Sequence, residues 1–353
     1  DFHLLTDDIE FDWSPSWSSD GTALFFCSDR GGPMGIWKMD FDSESGSVLS
    51  PLRALPTPTE FAGRLDVSRL NNSMVFVNGN RKLIGNRMKI NLDTFELLGV
   101  PEILIDEGLL FNWIRFNHDG SKAVFSGGPM RRTNIYTINT DGTGMRRLTN
   151  DRFRNIGVHF DANGDTLLFN SNRNGSYNCW EMRVDGGGLQ QLTEGWNTFF
   201  SPCKRPLVGG YVVCRPNEEQ WYMLPDDAER ISPEEVPPMP KVNEQTGEWM
   251  TPAVFTSDGT EVIGTIHRAR TSESEPSIPI GIGIFHFETE SYKVYPMSNI
   301  EIGIFSPPTL TPDQSHAVFS DDQQIRAVDL ETGEIISILE IQSKGAQSGT
   351  VSA

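Results

Sequence analysis

Residues Trp13 to Asp42 read WSPSWSSDGTALFFCSDRGGPMGIWKMDFD. They predict three short strands: one ending at Trp17, an apolar run from Ala23 to Cys27, and a third from Ile36 to Met39 beyond a Gly-rich loop. Asp20-Gly21 joins the first two, a tight-hairpin signal because glycine adopts positive φ without steric cost. The unit returns along the chain. FNHDGSKAVFSGGPMRRTNIYTINTDGTGMRRLTN begins at Phe116 and FDANGDTLLFNSNRNGSYNCWEMRVDGGGLQQLTEG at Phe160. Matched phrase by phrase, they fix a period of about 45 residues, that of a four-stranded propeller blade.

The fold class is all-β, a seven-bladed β-propeller of four-stranded antiparallel blades, with six blades plus one irregular unit as the other count. The blades fall at about 9–56, 57–105, 106–150, 151–195, 196–233, 246–299 and 300–341. They form a single propeller over 1–343, and 344–353 is a disordered tail of small polar residues. Residues 1–8, DFHLLTDD, resemble the closing strand MRRLTND and need a partner sheet. The fifth unit is degenerate, with SPCKRPLVGGYVVC in place of an Asp-Gly turn. Prolines at 233, 237, 238 and 240 make the following stretch an extended connector. Alternating apolar residues within each second and third strand fit blades stacked face to face around a channel.

The chain has 353 residues, a formal net charge of −19, 33 glycines and 22 prolines. Its charge repels phosphate backbones and anionic lipid, so nucleic acid is excluded as a partner. No run of about 18 apolar residues occurs, which excludes membrane insertion by a helix. Cys27, Cys179, Cys203 and Cys214 show no metal spacing and are expected as buried free thiols, although Cys203 and Cys214 lie close enough in sequence to pair. The first residue is Asp1, as in a mature form or an excised part of a longer chain.

The repeat wording resembles the TolB-like (WD40-like) propeller repeats. The motif stands here as Ser14 to Gly21, Ser28 to Gly31 and Ile36-Trp37; as His118 to Gly120, Ile135-Tyr136, Asp141-Gly142 and Leu148-Thr149; and as Ser171 to Arg173, Asp185-Gly186 and Leu192-Thr193. The resemblance covers nearly the whole chain and implies the propeller fold and a periplasmic or extracellular location. It does not imply one activity, because the same repeats serve binding proteins, peptidase propellers, oligogalacturonate lyases and sensors.

Aligning the units on the apolar residue before the turn places Ser16, Asp66, Arg115, His159, Val254 and Thr309 at one position of the innermost strand. Asp66, Arg115 and His159 are the channel-mouth candidates, either for ligand contact and acid-base work or as a self-satisfied network. Strand direction gathers Trp13, Phe61, Trp113 and Trp249 with Arg131, Arg132, His267, Arg268 and Arg270 on the loop-bearing face, an aromatic and basic rim suited to an acidic partner. Arg30 and Arg173 belong to the repeat and are expected to pair with blade acids such as Asp20. The six histidines show no HxH or HExxH spacing, and no Gly-x-Ser-x-Gly elbow occurs.

The expected function is non-catalytic recognition of a protein or acidic glycan on the loop-bearing face, with no cofactor and no metal. The alternatives are an oligogalacturonate-type polysaccharide lyase, which would need a divalent metal, and a sensor or gating propeller cut from a larger protein whose other domains are its partners.

Overall fold

The computed structural model describes residues 4–6, 10–31, 34–42, 44–57, 61–70, 73–79, 83–91, 94–107, 111–128, 132–198, 202–272, 277–297, 307–321 and 324–340. Their strands form eight small antiparallel sheets. Sheet A is Asp12–Trp17, Ala23–Ser28, Gly35–Asp40 and Arg53–Leu55; sheet B is Phe61–Val67 and Met74–Gly79; sheet C is Gly85–Ile90 and Leu97–Ile105. Sheet D is Phe111–Phe116, Lys122–Gly127, Asn134–Asn139 and Arg146–Arg147; sheet E is Asn155–Phe160, Thr166–Asn174, Ser176–Arg183 and Gln190–Gln191. Sheet F is Cys203–Lys204, Tyr211–Arg215 and Gln220–Leu224; sheet G is Trp249–Phe255, Glu261–Arg268, Ile278–His286 and Ser291–Pro296; sheet H is Thr309–Leu310, His316–Ser320, Gln324–Asp329 and Ile335–Glu340. The helical segments are single 3-10 turns at Pro216–Glu218 and Pro233–Glu235. Among the described residues, no helix is long and apolar enough to cross a membrane.

Contacts divide the chain into two units. Unit 1 is Asp1–Ile84, Asp106–Leu110 and Gly128–Thr133, and holds sheets A and B; unit 2 is Gly85–Ile105, Phe111–Gly127 and Asn134–Ala353, and holds sheets C to H. The second sequence unit, expected as one blade over 57–105, is therefore two separate hairpins. The degenerate fifth unit yields three strands, its Gly209-Gly210 turn standing in for Asp-Gly. The proposed closing strand lies mostly outside the described residues, as does the tail; Leu4 and Leu5 are exposed.

The middle strands of sheets D, E and G are buried along nearly their whole length, as in Ala123, Val124 and Phe125 or Val262 and Ile263. Strict alternation gives way to continuous apolar runs because both faces are covered. In sheet B the second strand, Met74–Gly79, does alternate, with Val75 and Val77 exposed. Within unit 2 each sheet packs on the next in chain order. Val124 and Ile135 of sheet D meet Val158 and Phe169 of sheet E. Cys179 and Leu192 of sheet E meet Tyr211 and Leu224 of sheet F. Trp221 of sheet F inserts edge-on against Phe285 of sheet G and donates its Nε1–H to the Tyr292 hydroxyl at 2.9 Å. Ile263 and Ile284 of sheet G pack on Leu310 and Phe319 of sheet H.

Sheet C completes this succession. The Phe95 ring, in the turn of its hairpin, is buried with Val318 and Ala327 of sheet H and meets His316 edge-on. On its other side Arg87 donates to the Thr140 carbonyl of sheet D's hairpin turn, and Gly85 comes so close to Ile114 that a Cβ would stand 3.1 Å from that side chain. The six sheets of unit 2 thus follow one another in a closed circuit of contacts, although no single sheet among the described residues closes on itself.

One turn recurs between first and second strands. Asp20, Asp119, Asp258 and Asp313 each accept a hydrogen bond from the backbone N–H two residues on, and the intervening residue is left-handed: Gly21, Gly120, Gly259 and Gln314 at φ 72, 69, 70 and 61°. Gln314 lacks glycine's freedom, but its side-chain amide bonds Ser257 of the neighbouring turn at both ends, at 2.7 and 2.9 Å, which offsets the strain. The hydrogen bonds of these turns hold the Asp20 and Asp313 carboxyls down to about 2 from 3.8. A carboxyl depressed on folding stabilises above its unfolded value and loses that contribution as pH falls through its folded one. Asp313→Ala is expected to lower the unfolding free energy by about 1 kcal/mol at pH 7. Urea midpoints compared between pH 7 and pH 2 should show the deficit of the variant shrinking as the acid limit is approached.

Candidate functional site

The first strand of each sheet is hydrogen-bonded on one side only, and in several sheets it carries a bulge at the same place. Pairing with the second strand slips between Trp13 and Ser16, Gly63 and Asp66, Asn112 and Arg115, and Ile156 and His159. The residue inside each slip is left-handed: Ser14 at φ 52°, Arg64 at 52°, Trp113 at 50° and Gly157 at 63°. Two residues later stand Ser16, Asp66, Arg115 and His159, the position picked out by alignment. An inserted residue re-aims the side chains beyond it in the strand, and bulges recur beside functional sites. Three of these four left-handed residues have a Cβ, so the conformation is held at a cost.

The two units fill this position in opposite ways. In unit 1, the Ser16 hydroxyl donates to the Asp66 carboxylate at 3.2 Å and also accepts from the Val67 N–H at 3.1 Å. That pair satisfies itself. In unit 2, Arg115 is 9% exposed, and its Nη1 is buried without a hydrogen-bond partner; it makes no ion pair with any described carboxylate. His159, at the matching position of the neighbouring first strand, has a buried Nε2 that is likewise unpaired. Burial weakens even the guanidinium's hold on its proton, drawing it down to about 10. Burial first, and the Arg115 charge second, push the His159 imidazole down to about 3. The pair therefore carries one positive charge at neutral pH, on Arg115.

Register extends this position around unit 2. Arg115, His159, Cys203, Val254 and Thr309 pair with Val124, Leu168, Val212, Ile263 and Val318, the same place in each second strand. Arg115 is the one charged residue of the five.

The rim candidates are placed quite differently. Trp249 is 1% exposed and stacks on His267 with centroids 4.8 Å apart; the imidazole is held by the Thr251 and Ser277 hydroxyls at 3.0 and 3.1 Å and is pushed down to about 4 by burial. This stack belongs to the interior of sheet G. Arg270 pairs with Glu219 at 3.1 Å and donates to the Asn217 carbonyl, whereas Arg268 is exposed. Arg132 pairs with Glu10 at 2.7 Å and with buried Asp29 at 3.2 Å. Trp13 donates to the Met34 sulfur and stacks on Phe11, while Trp113 is half-buried at its bulge. Arg131 and the Phe61 side chain lie outside the described residues.

The repeat arginines do pair with blade acids, but not with the turn carboxylate. Arg30 donates to both oxygens of Asp12 at 2.8 and 2.7 Å while lying over Phe26 and Trp37; Arg173 reaches Asp151 at 3.1 Å over Phe169 and Trp180. Asp12 and Asp151 stand near the start of the first strand in their repeats, a signal open to sequence reading. The four cysteines are free and buried. Among the described residues no three His, Cys, Asp or Glu side chains converge as a metal site requires.

A histidine depressed on folding stays neutral in the folded state while its unfolded counterpart takes up a proton, so stability falls as pH drops below about 6.5. For His159, the ring C–H resonances should hold constant from pH 7 to pH 5. In Arg115→Met they should begin to titrate at a higher pH, because a like charge has been removed.

No family model matches the chain. An uncharacterized protein of Agrobacterium fabrum is 24% identical over 185 residues, 51% of this chain and 58% of that protein. The Tol-Pal system protein TolB of Helicobacter hepaticus is 34% identical over 74 residues, 21% of this chain and 18% of TolB. The chain thus spans less than two thirds of either relative. The crystal structure of TolB from Acinetobacter baumannii superposes with a TM-score of 0.34 at 12% identity, over 93% of this chain and 54% of that one. In its repeat residues, and in the segment it shares with TolB, the chain is similar to the TolB-like β-propeller repeat proteins.

Proposed function

We propose that this chain is a recognition module, built from seven TolB-like propeller repeats, that binds an acidic partner without turning it over. The observation carrying this reading is Arg115, a buried guanidinium to which the chain itself offers no described acceptor. Burying an unpaired charge is expensive, and a bound anion that supplies the missing acceptor recovers the cost. Exported location, in the periplasm or outside the cell, and a protein or glycan as the partner are drawn from the resemblance and from this charge.

The second reading is a polysaccharide lyase, in which Arg115 would neutralise a uronate carboxylate and His159 would take the adjacent proton. The electrostatics of His159 favour recognition instead. A base whose conjugate acid lies near 3 gains little by accepting a proton from carbon at neutral pH.

Titration calorimetry with hexaglutamate and with tri-galacturonate, followed in parallel by ultraviolet absorbance, separates the two. Recognition predicts saturable binding of at least one of them, no rise in absorbance, and at least about tenfold weaker binding in Arg115→Gln, the loss expected for a charge-assisted pair. Absorbance that rises with wild type and is abolished in His159→Ala would establish the lyase. Binding of neither probe would contradict the recognition reading.

A further inference from the structure

We infer that the group captured at Arg115 is a single carboxylate, held by the guanidinium fork with His159 as a hydrogen-bonding neighbour. This rests on reading Arg115 as the ligand contact and goes on to name the chemistry of the ligand.

The first support is charge. At the shared register of the five sheets D to H the residues are Arg115, His159, Cys203, Val254 and Thr309, so one positive charge awaits neutralisation. A carboxylate brings one negative charge and leaves the site neutral. Sulfate, or phosphate as its dianion, would leave a net negative charge beside donors that are themselves buried, where an uncompensated charge is costly.

The second support is donor geometry. A guanidinium presents two parallel N–H groups that match the two oxygens of a planar carboxylate. Arg115 Nη1 is buried and unpaired, and the residue is 9% exposed, so its fork is not spent on the protein. His159 Nε2 is also buried and unpaired, and as an N–H it can donate to a carboxylate oxygen. Contrast with unit 1 sharpens the assignment. At the matching position there, a carboxylate is already present, as Asp66, with the Ser16 hydroxyl bonded to it. Unit 2 has the donors and lacks the acid.

The test uses the whole chain and simple anions: sodium acetate, sodium sulfate and sodium phosphate, each against sodium chloride at equal ionic strength, with the melting temperature as readout. Acetate is expected to raise Tm saturably by about 2–4 °C, as a ligand bound only by the folded state does. Arg115→Met should abolish the rise, and Arg115→Lys, which keeps the charge but loses the fork, should weaken acetate about tenfold. Sulfate or phosphate matching or exceeding acetate would overturn the carboxylate assignment in favour of a tetrahedral anion. So would an acetate effect that persists in Arg115→Met. If no simple anion acts while hexaglutamate or tri-galacturonate still binds in an Arg115-dependent way, recognition stands and the single-carboxylate inference falls. If those larger probes also fail, the functional reading itself is lost.

Discussion

Sheets whose middle strands are apolar on both faces can bury those faces only against other sheets, and this constraint organises unit 2. The fully buried Trp221, Phe169, Phe285 and Phe319 all sit where one sheet meets the next. A stack satisfying every sheet in this way must come back to its beginning or leave an apolar face in water. The hairpin of sheet C meets that demand, with Phe95 seated against sheet H and Gly85 and Arg87 against sheet D. Face-to-face stacking also decides what each first strand can do. One of its edges is unpaired, its bulge turns the side chain two residues on, and that position becomes the place where chemistry can be added without disturbing the packing.

Arg115 shows how far this freedom extends. The chain neutralises half-buried arginines elsewhere: Arg30 by Asp12, Arg173 by Asp151, Arg132 by Glu10 and Asp29. In a protein of net charge −19 carboxylates are plentiful, and Arg115, the one arginine in the buried class among the described residues, has none of them as a partner. Its neighbour His159 does not compensate it, since burial and the same positive charge keep the imidazole neutral. An arrangement costly to the empty protein is what a ligand-binding position looks like when the ligand completes the hydrogen bonding.

Much of this was legible in the sequence. The Asp-Gly turns and apolar runs marked strands and hairpins, and the alignment of units found the position shared by Asp66, Arg115 and His159, because a period of 2 within strands and about 45 between them constrains register tightly. The features that stayed hidden have physical causes. Left-handed Ser14, Arg64 and Trp113 carry no glycine signal, so the bulges could not be read from composition. Trp249 and His267 look like surface binding residues by type, but the ring stack and two hydroxyl bonds bury them in sheet G. The division of residues 57–105 into two hairpins was equally hidden: Asn71-Asn72, where the first unit has Asp-Gly, lies outside the described residues, and the alternating Met74–Gly79 strand differs from the continuous runs of the other middle strands only by degree.

The measurement that bears most directly on the central claim is the equilibrium unfolding free energy of Arg115→Met against wild type, in urea at neutral pH with no added ligand. Methionine fills similar space and has no charge to desolvate, so the account predicts a protein more stable by about 1–3 kcal/mol. A variant that is less stable by a similar amount would mean that Arg115 is already paired within the folded chain, and that the position is part of the protein's framework.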